Sequence, residues 1–368
     1  LIKFNITKMN KAIEYSGLYN HGNFCYVNSI LQALFLTPTI IKGLITDEEH
    51  EKDIMYLELI NSIKDIKDLE LDKYKKEDIT IERIKFLKIY FSFKQLIIKL
   101  MKKEEKVIDP KDFILECHKI RNDELFSGVQ NDAQEFLLFL LDNINEAKGI
   151  KKELIPAISS IEECQNVEDK LSFLSDTSLK QHYTNNNYSW VVNSIFYQII
   201  TVMKCNKCPN YSLKFEPYRE LPIEIPDIKK DLTIYDCFDN FFGKEQFSKG
   251  EEWHCDKCDN KEGNFKQYRI VDFPETLIIF FKRYKVLNMT GTRIKKITTK
   301  IEFPFQLNMN KYKIMNKEQD TQYDLYSVIN QTGTFNGGHY FTYSRNLNSD
   351  IDTSWYEFND SHVSKIND

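Results

Sequence analysis

Cys25 and His339 are the two residues whose type and setting suit nucleophilic catalysis. Cys25 follows the turn-like run Gly17-Leu-Tyr-Asn-His-Gly-Asn-Phe and opens an apolar stretch, Ile30, Leu31, Leu34 and Phe35, at helical spacing. A thiol in the first turn of a helix has its thiolate favoured by the positive end of the dipole, so a lowered pKa is expected. Asn23 is placed to cap that helix. His339 follows Gly337-Gly338 and begins a strand; of the seven histidines it alone sits where a glycine pair permits a sharp turn. Together a cysteine and a histidine supply a nucleophile and a group that can take and return its proton. Taken singly, each is more commonly an ordinary core or surface residue.

A third residue follows from register. Residues 339–345 and 355–358 read as strands joined by a polar loop. An antiparallel hairpin of that length places Asn359 opposite His339, where its amide could orient the imidazole. Asp360, next along, offers a carboxylate for the same task. Two further sets stand apart. Cys205-Asn-Lys-Cys208 and Cys255-Asp-Lys-Cys258 are paired knuckles, and four thiolates are the tetrahedral set that Zn²⁺ prefers. The interval between the pairs is longer than in compact zinc fingers, so strands must lie between them; His254 is a bystander. In Gln130-Asn-Asp-Ala-Gln-Glu-Phe136, Asp132 and Glu135 share one helix face near its start. Without further context they are ordinary helix-start carboxylates.

These residues are positioned by a chain of 368 residues, long enough to bury a core without disulfides. Hydrophobic residues are 42% and charged residues 29%, which excludes a disordered or collagen-like chain. Lys+Arg is 50 against Asp+Glu 55, a net charge of −5 that disfavours broad phosphate-backbone binding. No apolar run reaches the length of about 20 residues that a membrane span needs. No apolar signal segment begins the chain, and four of the eight cysteines fall in the two knuckles, so metal chemistry is favoured over a disulfide framework. The first residue is Leu, which reads as a piece of a longer protein.

Helical periodicity runs through 25–35, through much of 47–101, after Asp109-Pro110 and over 132–145. Residues 148–188 are polar and expected to be irregular. Beyond 189 the chain is rich in β-branched and aromatic runs: 195–204, 211–215, 268–273, 277–284, 304–309, 323–330, 339–345 and 355–358. The layout is α+β, with a helical first half and a β-rich second half.

Taken in order, these segments resemble the ubiquitin-specific protease family of cysteine deubiquitinases. Gly17 to Gln32 is similar to its Cys box. Gly337-Gly-His-Tyr-Phe-Thr-Tyr with Trp355-Tyr-Glu-Phe-Asn-Asp-Ser361 is similar to its His box. Gln130 to Leu137 is similar to its acidic box. Phe215-Glu-Pro-Tyr218, Pro274-Glu-Thr-Leu277 with Lys282-Arg283, and Ile301-Glu-Phe-Pro304 match weaker signatures. The resemblance implies a papain-like right-hand fold: a helical thumb over about 17–188, zinc-ribbon fingers over 189–270 and a palm over 271–368, after an extension at 1–16. It implies Cys25 as nucleophile, His339 as general base and acid, Asn359 or Asp360 as orienting residue, and Asn20 as oxyanion donor. It also implies structural Zn²⁺ on Cys205, Cys208, Cys255 and Cys258, with Asp132 and Glu135 facing arginines of the ubiquitin tail. Ubiquitin and ubiquitinated proteins are the expected partners of an intracellular monomer, cytoplasmic or nuclear, with neither nucleic acid nor membrane. The chain departs from the family at Phe24, where Thr is usual, at Gln331, where His is common, and in lacking the family's closing apolar strand before Asp368. A catalytically impaired ubiquitin binder and a protease for a related modifier are the alternatives.

Overall fold

The computed structural model describes residues 15–46, 50–62, 80–121, 124–227, 231–247, 250–286, 294–314, 319–334, 337–347 and 352–366. The part of the expected helical stretch over 63–79 lies outside the described residues. The chain forms two compact units. One combines everything up to Ala147 with Tyr326 onward, and the other is Lys148–Leu325.

The first unit begins with β1 (Gly17–Leu18), then α1 (Cys25–Phe35), α2 (Pro38–Ile45), α3 (His50–Ser62) and α4 (Ile81–Lys102). β2 (Val107–Ile108), α5 (Lys111–Ile120) and α6 (Ala133–Lys148) follow, and β2 pairs in parallel with β1. α1 ends before Pro38 as expected, but the proline also starts α2, because its fixed φ suits the first helical position. All eleven residues of α1 are buried. An all-round buried helix must satisfy its own polar side chains. Ser29 Oγ donates to the Tyr26 carbonyl at 3.0 Å, and Gln32 Nε2 to the Ser16 carbonyl at 2.9 Å. Phe136 on α6 meets Tyr26, Phe113 and Phe126 edge to face. Each such buried ring contributes about 2–3 kcal/mol, which fixes α6 against α1.

The stretch expected to be irregular holds a long helix, α7 (Val167–Asn185), followed by α8 (Trp190–Ile195). Asn166 caps α7 by accepting from the Asp169 N–H at 2.9 Å. Only Ser175 and Tyr183 of its 19 residues are buried, so α7 carries no apolar stripe for periodicity to reveal. The second unit continues with β3 (Tyr197–Lys204), β4 (Tyr211–Tyr218), β5 (Leu221–Glu224), β6 (Leu232–Thr233) and α9 (Ile234–Phe241). Strands β7 (Glu245–Gln246), β8 (Phe265–Asp272), β9 (Ile279–Lys282), β10 (Tyr284–Val286) and β11 (Ile294–Lys296) come next. β12 (Ile301–Glu302), β13 (Gln306–Asn308) and β14 (Gln322–Asp324) complete it. Its main sheet has the order β4-β3-β8-β7, and its core gathers Leu221, Ile223, Phe238, Ile270 and Met309.

The chain then returns to the first unit as β15 (Ser327–Thr334), β16 (Gly337–Ser344), β17 (Tyr356–Asn359) and β18 (His362–Lys365), an antiparallel sheet in that order. β16 lies on α1, and the buried Thr342 hydroxyl donates to the Ser29 carbonyl at 2.8 Å. The helical and β-rich halves of the sequence are therefore mixed in space: the first helices and the last sheet share one core. Where they meet, β1 runs against the turn after β17. The Leu18 N–H donates to the Asp360 carbonyl at 2.8 Å. A Cβ on Gly17 would stand 2.4 Å from the Ser361 carbonyl oxygen, so only glycine permits the approach. Gly17→Ala is expected to destabilise the first unit by about 1–3 kcal/mol. Urea unfolding checks this, and an unchanged midpoint would contradict the close approach.

Candidate active site

The approach to Cys25 is organised by Asn20. Its Oδ1 accepts from the N–H groups of Gly22 at 3.0 Å and Phe24 at 3.1 Å, an Asx-type turn that winds the chain into α1. Gly22 has φ 128°, a conformation open to glycine. The expected cap, Asn23, does not cap α1. Phe24 holds the cap position without a side-chain bond, and Asn23 Nδ2 donates to the Gly128 carbonyl at 2.8 Å. Asn20 serves the N–H groups of the turn before the helix, not those of its first turn.

The lowered pKa expected of Cys25 is also corrected. Burial pushes the thiol above its ordinary value, and the Asp360 carboxylate adds to the rise. Backbone N–H groups of Tyr340 and Tyr26 favour the thiolate but do not outweigh burial. The shift runs against a thiolate made by the helix dipole alone.

His339 is the histidine that the sequence offers beside this thiol. The Tyr340 N–H reaches the thiol, so the strand residue beside His339 is in contact with Cys25. His339 Nε2 lies 2.7 Å from Asn359 Oδ1. Asn359 Nδ2 donates to Glu357 at 3.4 Å, which sets the amide with its oxygen toward the ring. An amide oxygen only accepts, so Nε2 is the donor in this contact. The register differs from expectation: Thr342 pairs with Phe358, two residues displaced. An even slip leaves each side chain on its face. His339 and Asn359 remain on one face as diagonal neighbours, within reach for side chains of this length.

Asp360 does not face the imidazole. It occupies the two-residue turn between β17 and β18 at φ 51°, and its carboxylate points to α1. Oδ2 accepts from Asn20 Nδ2 and Oδ1 from Asn28 Nδ2, both at 2.8 Å. Asn28 was not singled out in the sequence. Its spacing of three from Cys25, on the same helix face, is the signal that could have found it.

The acidic pair divides. The Asp132 carbonyl accepts from the Phe136 N–H and its carboxylate from the Gln134 N–H at 2.7 Å, so it starts α6; burial raises its pKa. Glu135 lies 2.6 Å from Arg121 Nη2 with both groups partly exposed. Gln130, also unmarked, accepts from the Gly338 N–H at 2.7 Å and ties this segment to the glycine pair before His339.

In the second unit, pairing of Lys204 with Phe265 aligns β3 and β8 and brings the two knuckles together. Each knuckle closes alike: the Cys205 N–H donates to Asn210 and the Cys255 N–H to Asn260. The four sulfurs lie within 4.8 Å of one another, with Cys205–Cys258 and Cys208–Cys255 at 3.6 Å. Four ligands at a Zn–S distance of about 2.3 Å would stand roughly 3.8 Å apart, so the set fits a tetrahedral metal. Burial opposes ionisation of Cys255, but the Asn210 amide and the N–H groups of Lys257 and Cys258 outweigh it and hold the thiol down at about 6.

A family model described as ubiquitin carboxyl-terminal hydrolase matches residues 16–368. Ubiquitin carboxyl-terminal hydrolase Usp2 of Drosophila melanogaster is 28% identical over 354 residues, covering 95% of this chain and 32% of that protein. A probable ubiquitin carboxyl-terminal hydrolase of Acanthamoeba polyphaga mimivirus is 27% identical over 441 residues, covering 100% of this chain and 91% of its own. The chain therefore spans about a third of the length of the first relative and most of the second. Among solved structures, the SAGA DUB module of Ubp8, Sgf11, Sus1 and Sgf73 bound to monoubiquitin matches with a TM-score of 0.66 at 22% identity, over 99% of this chain and 68% of that one. At that identity the likeness establishes the fold, a mixed helix and sheet architecture. With a family model matched along nearly its whole length and that fold, the chain belongs to the ubiquitin carboxyl-terminal hydrolase family.

Proposed function

We propose that this chain is a thiol-dependent deubiquitinase that hydrolyses the bond after the C-terminal glycine of ubiquitin. The observation that carries the reading is the contact of β16 with the Cys25 thiol beside an imidazole whose tautomer is set by Asn359. His339 Nδ1 takes the thiol proton, and the thiolate attacks the glycine carbonyl carbon. The protonated imidazole then gives its proton to the leaving lysine amine, and water hydrolyses the thioester. Asn20 Nδ2 has a second N–H besides the one on Asp360, and it is the donor we assign to the oxyanion. Asn359 is neutral, so it orients the ring without the charge that a carboxylate would bring to the imidazolium.

Glu135 is the partly exposed acid we assign to the cationic tail of ubiquitin, with Asp132 holding the start of α6 behind it. Zn²⁺ is the metal we assign to Cys205, Cys208, Cys255 and Cys258. When bound it cross-links the two knuckles; the thiols and their N–H donors hold the site, and no step of the hydrolysis passes through it.

Hydrolysis of a fluorogenic reporter on the ubiquitin C-terminus tests the reading. Cys25→Ala is expected to abolish turnover while ubiquitin binding persists; turnover near wild type would refute the assignment. His339→Ala is expected to lose about 10²- to 10⁴-fold in kcat. In that variant Cys25 loses its base, and its raised pKa leaves less thiolate than in a free cysteine at neutral pH. Its alkylation by iodoacetamide is expected to be slower than that of free cysteine and to accelerate only on the alkaline side. Elemental analysis is expected to find one zinc per chain, with Cys258→Ser lowering both the zinc content and the melting temperature of the protein. Absence of zinc from the purified wild type would defeat the metal assignment.

A further inference from the structure

The turn that carries Asn20 is held from two sides. On the inner side its amide bonds Asp360. On the outer side the parallel pairing of β1 with β2 continues one step, the Tyr19 N–H donating to the Ile108 carbonyl at 2.9 Å. The next residue after β2, Asp109, then reaches the tip of the turn. Asp109 Oδ1 lies 2.6 Å from His21 Nε2 and accepts from the Lys111 N–H at 2.8 Å. One carboxylate oxygen therefore both starts α5 and grips the residue that follows Asn20. The His21 ring stands edge-on to Tyr19 at 4.7 Å, and Gly22 beyond it has no side chain to anchor the tip. Burial opposes ionisation of Asp109, but the bonds and charges of His21 and Lys111 together outweigh it and hold its carboxyl below the usual range. Asn20 Oδ1 is committed to the N–H groups of Gly22 and Phe24, so the plane of the Asn20 amide follows the turn.

We propose that His21, braced on Asp109, is a positioning residue that aims the Asn20 amide at the developing oxyanion. The proposal rests on the oxyanion role assigned to Asn20 above. An oxyanion exists only in the transition state and the intermediates beside it, so a loosened amide lowers kcat and leaves ground-state binding intact. The His21–Asp109 pair is partly exposed, 30% and 53%. Exposed pairs add little to folding stability, so its loss leaves the fold in place.

The test compares wild type with His21→Ala, His21→Gln, Asp109→Ala and the double variant His21→Ala/Asp109→Ala on the ubiquitin C-terminal reporter. Each protein is also alkylated at Cys25 with iodoacetamide, a reaction that forms no oxyanion. His21→Ala is expected to lower kcat about three- to fivefold, the scale of one exposed charge-assisted contact, with KM and the alkylation rate unchanged. Gln, which can still donate to Asp109, is expected to recover most of the loss, and the double variant to fall no further than Asp109→Ala alone. An unchanged kcat, a loss confined to KM, a parallel fall in alkylation, or a Gln variant as slow as Ala would each overturn the brace. A wild-type protein that turns over nothing would overturn the deubiquitinase reading, and the brace with it.

Discussion

The Asp360 carboxylate is the contact on which the site depends. It accepts from Asn20 on the turn before α1 and from Asn28 within α1, and its own carbonyl takes the Leu18 N–H. Residues near opposite ends of the sequence are thereby held within hydrogen-bond distance. A half-buried carboxylate is tolerable only if its oxygens are bonded, and these two amides supply the bonds. Breaking the arrangement would leave a charge beside a buried thiol, where it already raises the pKa of Cys25. The turn that bears Asp360 needs a left-handed residue, and aspartate adopts that conformation more readily than most. It also needs Gly17 opposite, because the two backbones touch there.

Around this contact the site divides its labour between two consecutive residues, the last of β17 and the first of the turn after it. Asn359 turns to the imidazole and Asp360 to the amides of the N-terminal segment. Asn359 ends β17 while Asp360 sits in the turn at φ 51°, and that left-handed step sends the two side chains to different partners. The neutral amide meets the histidine, and the charge lies on the side of the assigned oxyanion donor. In consequence the thiol is not pre-ionised. It is buried, and burial with the Asp360 charge outweighs the N–H groups that favour the thiolate.

The second unit follows a separate logic. Its knuckles are brought together by a β-ladder; the Asn210 amide donates to the Cys255 sulfur, and Asn264 ties the backbone around them by bridging the Asn206 N–H and the Trp253 carbonyl. Four thiols this close are stable only when ionisation is shared with a cation or suppressed by protons. That constraint is independent of the chemistry at Cys25, and it lies entirely within residues 148–325.

Residue type and spacing in the sequence were enough to single out Cys25, His339, the four cysteines that the fold gathers, α1, α6 and most strands of the second half. Each rests on local signals: a glycine-bounded turn, an x₂ knuckle, or an apolar period. The hairpin even brought Asn359 to His339 through a register wrong by two, because a slip of two preserves the face. α7 stayed hidden because it buries so little of itself. Long-range partners were not legible either. That Asp360 serves Asn20 and Asn28, and that Asn23 turns from the helix start to the Gly128 carbonyl, depend on segments distant in sequence meeting in one core. The sequence by itself determined which chemistry the residues can perform, since that is a property of side-chain type and local spacing. Which nitrogen holds the proton, where the charge lies and whether the thiol is ionised were decided only by the tertiary structure. Burial and non-local hydrogen bonds set those quantities, and neither exists until the chain has folded.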